Sequence, residues 1–553
     1  MGHGPCFARG VRLSSAFCAV AVLGTPAFPQ EVPRPAGADE PRLLQRLSAP
    51  LLHVHRRVEA RPTAPADASP AAGVLRNLWT ALPIPAGAEL AAGVLSRLTA
   101  NAEEIEFAVT SLLPRQAAPS LPLLVLQARL EEPAAQAIAQ ALSGADLARP
   151  TRKAGGRQVY ELLGAQPDAP GQRMEVVLVE RDLIVSNQGT SLDEALALGT
   201  TAGRPLVADE RYRTLRRRIG NFERSAVTVY ADWARLGPAL TTRLPKDLAP
   251  LVDWSGLVGV QRLLLGVVPT KDGLRTTLLV DHGPAGPPAQ AGGRAPRAHP
   301  DGWLALLEPA RASALIAGLP RGGLGAIGFA FAPDRLASVS AEPGSRFGAL
   351  RHGIEHGCDD SDLDFERHVL RRLANTAGVQ FLGDMQNFDA VLALRTSDKS
   401  AAQAILGDLR RALVHHGQAL PLQGRRTDEP IGRDQLILRG SAVTGMGPVH
   451  VATLEDSVLL TLGARSLIRL ADELRNPAAL RTSQVPMAAL WQRYGLPKQP
   501  VAGVIALDLS RLARAASPQS GSEAAPAGFS FGRHVGCFWL DDGVLRADLL
   551  SQL

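Results

Sequence analysis

The chain has 553 residues, 46% of them hydrophobic, 20% charged and 4% aromatic, an ordinary globular mixture that excludes a disordered or fibrous protein. Its 59 basic and 53 acidic side chains leave a net charge of +6, a surplus too small for a basic nucleic-acid-binding domain. Only Lys153, Lys246, Lys271, Lys399 and Lys498 are lysines, so the positive charge is carried almost wholly by arginine.

The first 27 residues read as a secretory signal peptide. Arg9 and Arg12 supply a basic start, residues 13–24 an apolar stretch too short to span a bilayer, and Thr25-Pro26-Ala27 small residues for cleavage. No later stretch reaches the roughly 18 uncharged apolar residues of a membrane-spanning helix. The expected location is therefore outside the cytoplasm, in the periplasm or beyond the cell. Residues 28–74 are rich in Pro and Ala and read as an N-terminal segment outside the first folded module.

From residue 75 the sequence repeats itself. Phe107 recurs as Phe381, Ala134-Ala135-Gln136-Ala137-Ile138 as Ala401-Ala402-Gln403-Ala404-Ile405, and the segment 180–192 as 455–467. Asp232 recurs as Asp508 and Asp272-Gly273 as Asp542-Gly543, and the ordered spacing predicts a tandem duplication. In each copy an apolar strand precedes the AAQAI box, whose Ala135, Ile138 and Leu142 lie at helical spacing. A short strand over 158–162, a hairpin over 175–185, a helix capped by Ser191, a strand over 227–230 and a second hairpin over 263–279 follow. These patterns predict an α+β fold, two tandem copies of a mostly antiparallel sheet module with helices packed on one face. The expected divisions are 75–282 for the first copy, a Gly/Pro linker over 283–300, and 301–553 for the second, with a flexible insert at 515–528.

This order of elements, with Leu363-Asp364-Phe365-Glu366 before Val369-Leu370, the strand-then-AAQAI box, Ser466-Leu467 after a hairpin and a strand ending in Asp508-Leu509, resembles an uncharacterised family. That family consists of exported bacterial envelope proteins built of tandem α+β repeats. The resemblance covers most of residues 75–550 and rests on packing motifs. It implies an extracytoplasmic location and a duplicated scaffold, and brings no catalytic residues.

Candidate chemistry concentrates at His352-Gly353-Ile354-Glu355-His356, an H-x-x-E-H that resembles the motif of inverzincin peptidases, a resemblance that implies zinc held by His352 and His356 with Glu355 as general base. Glu429, 73 residues beyond His356, has a suitable spacing for a third ligand but sits in a turn-like Asp428-Glu429-Pro430. On a helix over 346–356 the stripe Phe347, Leu350 and Ile354 leaves both histidines on the opposite, solvent-facing side. Cys358 and Asp359 extend the cluster toward a structural metal site. Cys358 and Cys537 are the cysteines left after signal removal, and either a disulfide or two separate thiols fits the sequence. The Gly323 to Gly328 G-x-G-x-x-G precedes a strand rather than a helix, the inverse of a nucleotide-binding context.

Arg211, Arg213, Arg216, Arg217 and Arg218 form the strongest basic run, with Leu215 and Ile219 as its apolar seam. It is a solvated helix face or a patch for an anionic partner. The function expected is that of an exported, non-enzymatic envelope binding or scaffold protein whose partner is an envelope protein, a polymer or an apolar ligand. A zinc-dependent peptidase or hydrolase at 352–356 is the alternative, and a periplasmic lipid or lipoprotein carrier a further one. No resident cofactor is expected, zinc excepted under the alternative.

Overall fold

The computed structural model describes residues 42–47, 50–57, 102–113, 121–144, 148–162, 174–196, 205–220, 222–241, 259–283, 306–319, 324–340, 364–383, 388–415, 419–423, 434–438, 449–461, 464–475, 487–508, 532–541 and 543–552. The expected signal peptide, the greater part of the linker, the insert at 515–528 and the H-x-x-E-H helix lie outside them.

The first half supplies strands β1 (Leu52–Arg57), β2 (Ala102–Leu113), β3 (Leu121–Leu130), β4 (Ala148–Ala154), β5 (Arg157–Leu162), β6 (Glu175–Val179), β7 (Asp182–Ser186), β8 (Val227–Asp232), β9 (Arg262–Thr270) and β10 (Gly273–Asp281). The second supplies β11 (Gly325–Ala330), β12 (Leu373–Gly383), β13 (Phe388–Thr396), β14 (Ala419–Gln423), β15 (Asp434–Leu438), β16 (Val449–Leu454), β17 (Ser457–Thr461), β18 (Gly503–Asp508), β19 (Arg533–Asp541) and β20 (Val544–Gln552). The helices are α1 (Arg42–Arg46), α2 (Glu132–Ser143), α3 (Gly189–Leu196), α4 (Glu210–Arg218), α5 (Trp233–Thr241), α6 (Ala312–Ala317), α7 (Pro333–Ser340), α8 (Phe365–His368), α9 (Lys399–His415) and α10 (Ala464–Arg475). Residues 487–494 are also helical.

All strand pairings are antiparallel. In the first half they run β4-β5-β6-β7-β3-β2-β1-β8-β9-β10. In the second half the order is β14-β15-β16-β17-β13-β12-β11-β18-β19-β20. Strands β10 and β20 then pair with each other from Leu274↔Ser551 to Asp281↔Val544. The result is one 20-stranded sheet, where two separate modules were expected. The last strand of each half would otherwise be an edge with a row of unpaired backbone groups, and the seam satisfies both rows.

Helices pack on both faces of this sheet, a correction to the single covered face expected. Side chains alternate across a strand, so Phe107 and Ala108 point to opposite sides. On the Phe107 face, Ala135 and Leu142 of α2 cluster with Ile105 and Phe107, and Ala402 and Ile405 of α9 with Ala377 and Leu436. On the Ala108 face, Leu43 of α1 and Leu192 of α3 meet Val125 and Ile184, and Tyr212 and Leu215 of α4 meet Leu264. Leu315 of α6, Leu490 and Trp491 meet Val504 and Val535 there, and Leu467 of α10 meets Val391. Strands such as β3, whose central residues are apolar on both parities, need cover on both sides.

Strand β1 lies between β2 and β8, in the middle of the first half, although the sequence placed it in the N-terminal segment before residue 75. One local expectation is also refined. Ser191 is not the cap of its helix but lies inside the first turn of α3, buried, its hydroxyl donating to Gln188 Oε1 at 2.7 Å. The Leu363-Asp364-Phe365-Glu366 segment leads into a short α8 capped by Asp364, whose carboxylate accepts from Arg367 N, followed by a 3-10 turn over Leu370–Arg372.

A single register row of small or apolar residues crosses the Phe107 face from β7 to β17. It runs Val185, Leu126, Phe107, Val54, Val229, Leu265, Leu278, Ala547, Phe538, Gly503, Phe329, Ala377, Leu394 and Val458. Gly503 fits there because a Cβ would stand 2.1 Å from the Phe538 ring and 2.6 Å from the Gly328 carbonyl.

Candidate functional site

His352, Glu355, His356, Cys358 and Glu429 all lie outside the described residues. Cys537 is a free thiol, wholly buried in β19. Burial pushes its pKa up to about 11, so it stays protonated and unreactive at neutral pH. Among the described residues no three His, Cys, Asp or Glu side chains converge as metal ligands.

The five arginines of α4 divide into two groups. Arg211 grips the buried carboxylate of Asp281, with Nε donating at 3.0 Å. Arg216 stacks over the Phe222 ring at 5.2 Å, and Arg218 donates to the Asp541 carbonyl at 3.1 Å. Arg213 and Arg217 are exposed and form no ion pair with any described residue. The helix is held to the sheet by Tyr212 and Leu215 and capped by Asp209, which accepts from Tyr212 N and pairs with Arg262 at 2.8 Å.

A buried ionic cluster on the Ala108 face was not anticipated from the sequence. Glu106 of β2 accepts from Arg42 N at 2.6 Å and from Leu43 N at 2.8 Å, and its Oε2 lies 3.2 Å from His53 Nε2. Burial lowers the His53 pKa, outweighing the raising effect of Glu106, so the imidazole is neutral and donates to the carboxylate. His55 Nε2 lies 2.6 Å from Glu104 Oε1. Burial pushes against ionisation of Glu104, yet the His55 bond and the charges of His55, Arg57 and Arg42 together hold its pKa below the usual range. Arg42 also pairs with Asp182 of β7.

Chemically this arrangement holds rather than turns over. Both Glu106 oxygens are already engaged by donors, and Glu106 and His53 are 2% and 1% exposed, so neither has an open path to a substrate. The cluster is a latch that pins α1 across β1, β2 and β7. In the second half the register slot of His55 and Glu106 holds Ala326 and Gln380, neither of them ionisable, so that slot carries no such latch.

On the opposite face, one charge interrupts the apolar surface. Arg56 occupies the row beside Val54, flanked by Ile105 of β2 and Val227 of β8, with Val267 of β9 next in line. Leu265 and Val267 are buried there, while Val227, Val229 and Leu278 are half-buried. The cluster itself is built of strand residues, and α5 packs beside it on the same face, where Trp233 and Leu236 meet Ala231, Leu263 and Val280 with Leu278 at their edge.

No protein-family model matches this chain, and no curated relative matches it. Among solved structures, crystal form IV of TP0453 matches at 13% identity, covering 44% of this chain and 83% of that one, with a TM-score of 0.26. Crystal form I of the same protein matches at 12% identity over 46% of this chain and 83% of that one, also at 0.26. At that level of superposition the likeness bears on neither fold nor function. No helix among the described residues is long and apolar enough to cross a membrane.

Proposed function

We propose that the protein is an exported, non-enzymatic binding protein of the cell envelope, made of two copies of one α+β module fused through a shared sheet. Its ligand on this reading is apolar and lies on the Phe107 face. The observation that carries the reading is the apolar row that continues through the seam, from Val229 and Leu265 through Leu278 and Ala547 to Phe538 and Phe329. Half-buried Val229, Leu278, Ile327 and Phe329 leave apolar surface of the kind that marks ligand and partner sites. The duplication is supported by the matching pairing order of the halves and by Glu180 and Glu455. They are the two described non-glycine residues with positive φ, at the same hairpin in each half.

The test is mass spectrometry of an organic extract of the full chain purified from cells that export it. A stoichiometric apolar compound supports the reading. Absence of any such compound, together with about one zinc per chain that is lost in a His352→Ala/His356→Ala variant, would replace it with the metal-dependent hydrolase.

A further inference from the structure

Arg56 is a cation that folding does not explain. Its Nη1 is shut off from solvent and has no hydrogen-bond partner. Burial draws its pKa down to about 10, and no neighbouring carboxylate opposes that shift. Arg56 as a whole is half-buried, yet a guanidinium nitrogen enclosed without an acceptor or counter-charge is unfavourable, so an aliphatic residue would suit the position better. The second half shows the aliphatic solution. Counting from Phe107 and Phe381, the slot of Arg56 against Ile105 is that of Ile327 against Val379.

We infer that Arg56 binds the carboxylate of a long-chain fatty acid, whose alkyl chain lies along the apolar face over β8, β9 and β10. The inference rests on the proposed apolar-ligand reading and names its ligand. The planar fork of a guanidinium matches a carboxylate with two parallel hydrogen bonds, and a single unpaired cation calls for a single negative charge. The chain would lie between the row of Val227 and Val267 and the row of Val229, Leu265 and Leu278. Rows two residues apart on one face are about 7 Å apart, a groove for one alkyl chain rather than the two of a phospholipid. An acyl chain of about 15 Å, half a bilayer's hydrocarbon thickness, spans about three strand spacings and so reaches from β1 to β10.

The test titrates the full-length protein, freed of its signal segment, with cis-parinaric acid, a fluorescent long-chain carboxylate, and with the corresponding alcohol. Phosphatidylglycerol vesicles serve as a third probe. The expected result is saturable binding of the acid near one per chain, preferred over the alcohol, with no gain from vesicles. Arg56→Leu should weaken the acid at least about tenfold, leave the alcohol unchanged and not lower the melting temperature. Arg56→Lys should fall between the two.

Equal binding of acid and alcohol, or an acid affinity untouched by Arg56→Leu, overturns the role of Arg56 and leaves the apolar-ligand reading standing. Binding of neither probe removes both. Binding of the vesicles alone overturns the inference in favour of a membrane-surface contact.

Discussion

Glu106 concentrates three donors on one buried carboxylate, and its removal would strand the Arg42 and Leu43 amides together with His53. Breaking such a site costs about 3 kcal/mol, so Glu106→Ala should lower the denaturant midpoint accordingly, while Glu106→Gln, which keeps an acceptor, should cost less. His534 carries a pH dependence of definite sign. Its Nδ1 bonds Ser551 Oγ at 2.7 Å while its Nε2 is buried without a partner. Burial lowers its pKa from 6.5 to about 4, against a raising effect of Asp508. The native state therefore holds this proton less tightly than the unfolded chain. Stability from this group is complete above about pH 6.5 and is lost as the pH falls toward 4, by up to about 3 kcal/mol. His53, also lowered by burial, acts in the same direction. His534→Gln should flatten the fall in unfolding free energy between pH 6.5 and 4, and an unchanged slope would contradict this assignment.

At the scale of elements, the hairpins β6–β7 and β16–β17 each turn through a glutamate in the left-handed region, Glu180 at φ 57° and Glu455 at φ 50°. A β-carbon there costs about 1 kcal/mol, so Glu180→Gly and Glu455→Gly should each stabilise by about 0.5 to 1 kcal/mol in denaturant titrations. Gly325 predicts the opposite. At φ 147° its Cβ would stand 2.3 Å from the Ala506 carbonyl, and Gly325→Ala should destabilise by at least about 2 kcal/mol. Elements with a local signal were legible in the sequence. Both AAQAI boxes form helices with Ala135, Ala402 and Ile405 buried, and the hairpins fall where their turn residues place them. Strand β1 was illegible because histidines fill its inward positions, so the buried side of Leu52-His53-Val54-His55 reads as polar. The latch was illegible for the same reason, its partners lying on segments far apart in the chain and joined only by the sheet register. Arg56 gave no signal either, since a lone arginine at a strand end resembles any solvated one.

For the whole molecule, the repeated landmarks predict two halves of like pattern, and the halves share one strand-pairing order, but nothing in the pattern of either half reveals what its last strand pairs with. The seam answers that. Thr277 donates to Asp548 Oδ1 at 2.7 Å across it, and Arg546 holds the other carboxylate oxygen at 2.9 Å, with Asp548 2% exposed. Asp548→Ala should therefore cost about 3 kcal/mol and lower the unfolding transition of both halves together, as followed by peptides from each.

The joining of the halves is most directly tested by amide hydrogen exchange, read by mass spectrometry over 273–281 and 544–552. With β10 bonded to both β9 and β20, and β20 to both β10 and β19, residues 274–281 and 544–551 have a partner strand on each side. Both segments should then exchange as slowly as the interior strands β2 and β12, and far more slowly than the outermost strands β4 and β14. Rapid exchange of alternate amides in both segments, the pattern of two free edges, would contradict a single continuous sheet.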